Sequence, residues 1–106
     1  MNKEEKYAVT ELYSWFKNNQ EYLVANNNEI SFKDSGRNSA AVAIQNNTHV
    51  IQLCAWDHAS CLDIEILEID NEKFTLPHTG TCHSKIQFIE ELDKFLTWHK
   101  NELQSI

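Results

Sequence analysis

Between Ile30 and Ile69 short apolar–polar alternations are cut at near-regular intervals by small polar clusters. This is the pattern of consecutive β-strands joined by tight turns. Ile30 and Phe32 alternate with polar residues ahead of Asp34-Ser35-Gly36-Arg37, a turn signal. Ser39 to Gln45 is small and β-branched, and Asn46-Asn47 fits a two-residue hairpin loop, whose central positions need positive φ. His49 to Trp56 is apolar enough for a central strand. Asp57–Ser60 makes a four-residue turn, and Cys61 to Ile69 alternates strongly. A short fifth strand, Lys73 to Leu76, stops at Pro77, which has no N–H to give a ladder.

Helices flank these strands. From Lys3 to about Ala25 there is no Gly or Pro, and Leu12, Tyr13, Phe16 and Leu23 return at helical spacing, with Tyr7 and Val9 extending the stripe. Glu4 and Glu5 suit the positive end of the helix dipole, and Asn26-Asn27-Asn28 ends the helix because Asn tolerates the left-handed conformation. Ser84 with Gln87 fits a capping box before a second helix, whose stripe is Ile86, Ile89, Leu92, Phe95, Leu96 and Leu103. Glu90, Glu91, Asp93 and Lys94 are placed toward water. Trp15 and Trp98 fall off both stripes, which suits either the helix–helix seam or partial exposure. Residues 1–106 contain no repeat or linker. The expected fold is therefore one α+β domain: N-terminal helix, five-stranded antiparallel meander and C-terminal helix, with both helices on one face of the sheet.

The register of the strands can be tested, because a one-residue slip would turn every side chain to the opposite face. A four-residue turn at Asp57–Ser60 sets Trp56 opposite Cys61, Ala55 opposite Leu62, Leu53 opposite Ile64 and Ile51 opposite Ile66. A two-residue Asn46-Asn47 loop sets Val42 opposite Ile51 and Ala40 opposite Leu53. A three-residue loop at Ser35–Arg37 adds Phe32 opposite Ala40 and Ile30 opposite Val42. Four strands thus agree on one core face. The fifth leaves two registers open: a two-residue loop at Asn71-Glu72 pairs Leu67 with Leu76, and a three-residue loop pairs Ile66 with Leu76.

The opposite face carries Ala41, Ala43, Val50, Gln52, Cys54, Trp56, Cys61, Asp63, Glu65 and Leu67. No Lys or Arg occurs from Asn38 to Glu72, whereas Asp57, Asp63, Glu65, Glu68, Asp70 and Glu72 all do, so most of the formal net charge of −7 arises here. The acidic balance argues against a nucleic-acid partner, which needs Lys and Arg to displace counterions. A solvated face of an acidic protein is one reading. The other is a docking surface for a basic protein, with Trp56, Asp57, Asp63, Glu65 and Glu68 as the contact residues.

Other chemistries find less support. Gly36 and Gly80 stand alone, which excludes a Gly-rich phosphate cradle. Cys54, His58, Cys61, His78, Cys82 and His83 are the residue types zinc favours, but their spacing is no recognised knuckle and no metal is expected. Cys82-His83 before a helix could form a thiol site, yet no third orienting residue stands out. Asp63 and Glu65 lie on a flat face rather than in the cleft that acid–base catalysis needs. No catalytic residue and no cofactor is expected. No stretch approaches the ~20 apolar residues that span a bilayer, no N-terminal segment reads as a signal peptide, and three cysteines suit reduced thiols in the cytoplasm.

Ser14-Trp15-Phe16 in the first helix, the strand ending Ala55-Trp56, the acidic strand Leu62-Asp63-Ile64-Glu65-Ile66-Leu67, and a closing helix with Phe88, Leu92, Phe95 and Leu96 together resemble the TriTu-type immunity proteins of Rhs polymorphic toxins. The likeness extends over nearly the whole chain as an order of elements. It implies no catalysis. It implies instead a cytoplasmic monomer bound 1:1 to a cognate toxin C-terminal domain, an ADP-ribosyltransferase delivered by type VI secretion and acting on EF-Tu, whose active site it occludes. A small acidic secretion chaperone, typically dimeric, is the alternative.

Overall fold

The computed structural model describes residues 7–102. Helix α1 (Ala8–Ala25) is followed by β1 (Glu29–Asp34), β2 (Ser39–Gln45), β3 (His49–Trp56), a single 3-10 turn at His58–Ser60, β4 (Cys61–Glu68), β5 (Lys73–His78) and α2 (Lys85–Glu102). The strands form one antiparallel sheet in sequence order. The expected α+β architecture, with both helices on one sheet face, is the one observed. Lys3–Lys6, Glu4 and Glu5 among them, and Leu103 lie outside the described residues.

The expected pairing of β3 with β4 holds residue for residue, Trp56 opposite Cys61 and Ile51 opposite Ile66. The two earlier turns differ by one residue. Asn46 stays in the ladder, its N–H donating to the His49 carbonyl at 3.0 Å, and its Oδ1 accepts from the Thr48 and His49 N–H groups. The side chain thus builds the turn, neither Asn46 nor Asn47 needs positive φ, and Val42 pairs with Leu53 rather than Ile51. In the β1–β2 loop Ser35 is likewise retained, its N–H reaching the Ser39 carbonyl, and the loop becomes Gly36–Asn38, with Gly36 (φ 75°) and Asn38 (φ 65°) in the left-handed region. Phe32 then pairs with Val42 and Ile30 with Ile44. Each shift moves both strands by one residue together, so side chains keep their face and the expected core survives.

That core joins Val42, Ile44, Ile51, Leu53, Leu62 and Ile64 of the sheet to Leu12, Phe16 and Leu23 of α1 and Phe88, Leu92 and Phe95 of α2. The helices meet through Tyr7–Phe88, Trp15–Phe95 and Tyr22–His99, ring centroids 5.7–5.9 Å apart. Start meets start and end meets end, so the helices run in the same direction. Trp15 is therefore a seam residue, and Trp98 is half-buried against Phe95 and His49. The stripe of α2 is rotated from expectation. Phe88 is buried and Ile86 is 71% exposed, because the observed series is Phe88, Leu92, Phe95 and His99. A buried histidine within that series conceals it from a count of apolar residues.

Identifiable bonds mark the start of α2 and the end of α1. The Ser84 hydroxyl accepts from the Gln87 N–H at 3.0 Å, and Gln87 Oε1 accepts from the His83 N–H, which is the expected capping box displaced by one residue on its return arm. At the end of α1, Asn27 takes φ 63°, with its N–H on the Val24 carbonyl and the Asn28 N–H on the Leu23 carbonyl, a Schellman motif.

Candidate protein-binding face

Neither helix lies on the second face of the sheet, which is formed by alternate residues of all five strands. Cross-strand pairing sets Ala41 beside Cys54 and Cys54 beside Asp63, then Ala43 beside Gln52 and Gln52 beside Glu65. Trp56 stands at one end, between Ser39 and Cys61, and is 38% exposed. Its indole and the carboxylates of Asp63 and Glu65 thus share a surface in which β2, β3 and β4 place no Lys or Arg; Lys33 sits at the β1 margin, opposite Ala41.

The five expected contact residues do not all belong to that surface. Trp56, Asp63 and Glu65 do. Asp57 lies in the following turn, where its N–H donates to the Asn38 carbonyl at 2.8 Å and its Oδ1 accepts the Val9 N–H at 3.0 Å. The carboxylate therefore caps the start of α1 from 48 residues away, in place of Tyr7, whose side chain makes no cap. Glu68 falls on the helix-covered side. It accepts a hydrogen bond from Asn71 Nδ2 and borders a groove of about 650 Å³ between α2 and the inner side of β3–β5, with Ile64, Ile66, Phe95 and Trp98. Asp63 has a second task, since its Oδ1 accepts the Gly80 N–H at 2.9 Å and tethers the loop before α2.

The cysteines and histidines are distributed rather than gathered. Cys82 faces His78, with Sγ 3.8 Å from Nε2, and not its sequence neighbour His83; His78 Nδ1 donates to the Leu62 carbonyl at 2.7 Å. Burial first, then Glu91 and Cys61, pushes the Cys82 thiol up to about 11, which leaves it protonated and a poor nucleophile at neutral pH. Burial, followed by Glu65 and Asp63, also raises the Cys54 thiol. Among the described residues no three His, Cys, Asp or Glu side chains come together in a metal-binding group.

Strand β5 supplies what the sequence left open. Its turn is Ile69–Glu72, four residues long, so Leu67 pairs with Phe74 and Ile66 with Thr75, a register one residue from that of the three-residue loop and two from that of the two-residue loop. An extra residue at Leu76-Pro77 then shifts the ladder, and Ile64 pairs with His78. Phe74 and Leu76 emerge on the open face, 56% and 49% exposed. A four-residue turn already joins β3 to β4 with full register, which is the one sequence signal that could have placed them.

The domain thus has one sheet face covered by its helices and one open, acidic face that carries an aromatic side chain. The chain belongs to the TriTu immunity protein family, whose model matches residues 10–98. Members of that family are immunity proteins, and the role entails binding a cognate toxin protein. No curated protein and no solved structure matches the chain significantly. No helix among the described residues is long and apolar enough to cross a membrane.

Proposed function

We propose that the chain neutralises a cognate ADP-ribosyltransferase toxin domain, one that acts on EF-Tu, by seating its open sheet face over the toxin's active site as a 1:1 complex. The toxin class follows from the resemblance to immunity proteins of Rhs toxins. The docking face is supported by one observation: β3 and β4 present Trp56, Asp63 and Glu65 on an uncovered surface to which β2, β3 and β4 contribute no Lys or Arg. An indole supplies contact area that slows release, and carboxylates accelerate encounter with a basic partner. Asp57 holds the turn beside Trp56, and Glu68 lies on the helix-covered side near the end of β4, off the docking face. No residue of the chain takes part in catalysis, and the complex forms in the cytoplasm of the protected cell.

Glu65→Lys is the informative substitution, since reversing Asp63 would also break its bond to Gly80. With the cognate toxin domain, Glu65→Lys should lower the association rate about tenfold at low salt and flatten its salt dependence, with unfolding unchanged. Unaltered association and full protection of toxin-expressing cells would overturn the acidic-face reading. A toxin with no ADP-ribosyltransferase activity on EF-Tu would overturn the assigned target.

A further inference from the structure

Across β3, β4 and β5 the open face carries a continuous apolar row, in which Val50 pairs with Leu67 and Leu67 with Phe74, while Leu76 lies two residues beyond Phe74 on the same side. Scattered exposed apolar residues are ordinary on a protein surface, but contiguous ones rarely are. In β5 the usual alternation is inverted: Phe74 and Leu76 point to the open side while Thr75 pairs with Ile66 and lines the groove beneath α2. A one-residue slip would turn both large side chains inward. The Ile69–Glu72 turn prevents it, and does so with Glu72 at φ 52°, a conformation that disfavours a non-glycine residue. The chain thus holds a strained turn that keeps these two side chains outside.

We propose that Val50, Leu67, Phe74 and Leu76 are the anchor of the docking face, and that they receive a toxin-domain segment in which bulky apolar side chains stand beside Lys or Arg. The cations are required by Glu65, which lies two residues from Leu67 on the same side of β4, and by Asp63 beyond it. This inference rests on the open face being the one that meets the toxin. It adds slow-release contacts at the β5 margin to the one that Trp56 makes, and assigns the carboxylates to steering. Apolar and aromatic anchors that become desolvated in a complex govern dissociation, whereas charges chiefly govern association.

The test measures binding of the cognate toxin domain to Phe74→Ser, Glu65→Lys and, as a control, Ile86→Ser, which removes a more exposed apolar side chain from α2. Thermal unfolding of each variant checks folding, and molar mass in solution is read for the free proteins. Phe74→Ser should raise the dissociation rate at least tenfold and leave the salt dependence of association intact. Glu65→Lys should do the reverse, and Ile86→Ser neither. If Glu65→Lys weakens binding while Phe74→Ser changes dissociation less than twofold, the anchor is overturned and the acidic face stands. Parental binding by both variants overturns the face itself. A free dimer that Phe74→Ser converts to monomer assigns the row to self-association and also overturns the anchor.

Discussion

His99 is buried between Tyr22 and Phe95, and it shares a 2.8 Å hydrogen bond with the Tyr22 hydroxyl through Nδ1. Its Nε2 has no partner among the described residues. Burial, followed by the nearby His49, lowers its pKa from the usual histidine value. The unfolded chain therefore binds a proton here more readily than the folded one, and the folded state is favoured above about pH 6.5 and penalised as pH falls below it. Stability should decline by up to about 1.4 kcal/mol per pH unit until the folded-state value is reached. His99→Gln removes the titration but retains a polar group. Urea unfolding at pH 7.5 and 5.5 should show the parent losing more stability than His99→Gln between the two; equal losses would mean that this ring does not control the slope. Nothing in the sequence distinguishes His99 from the four other histidines. Only tertiary packing of α2 against α1 does.

At the scale of elements, most of the architecture was legible. Alternation in Ser39–Leu67 chose the core face, and it withstood turns that moved by one residue because the movement was shared by both strands. What was not legible depends on side chains acting across the fold. Asn46 builds its own turn and also donates from Nδ2 to Asn28 Oδ1, tying the end of α1 to the β2–β3 connection. The β5 register depends on a four-residue turn and an inserted residue at Pro77, neither of which alternation can report. Asp57 read as a surface acid because a cap supplied from another element leaves no trace near the helix it serves. Asp57→Ala should cost about 0.5–2 kcal/mol, the range for losing a helix cap. Asp57→Asn, which keeps the acceptor and loses the charge, should cost less. Chemical denaturation checks both, and an unchanged midpoint for Asp57→Ala would show that the bond to Val9 contributes nothing.

At the scale of the whole molecule, the two faces of the sheet divide the work. One is closed by parallel helices and carries the stability. The other remains open, and both the acidic pair and the apolar row lie on it. The charge pattern pointed to this surface from the sequence, but the row at the β5 margin needed the fold. The sequence-order sheet also dictates how the domain assembles. Each strand pairs with its immediate neighbour, so the sheet can zip after closing only short loops, whereas the Asp57–Val9 and Tyr22–His99 bonds close over 48 and 77 residues. Local pairing is reached early and long closures late. Leu53→Ala, in the central strand, should therefore slow refolding, while Phe95→Ala, at the helix seam, should chiefly speed unfolding. Stopped-flow measurements across urea concentrations separate the two effects, and the opposite partition would mean that the helices dock before the meander forms. On the expected partition, the lifetime of the folded immunity protein is governed by the seam between its helices, while the rate at which new copies become competent is governed by the sheet.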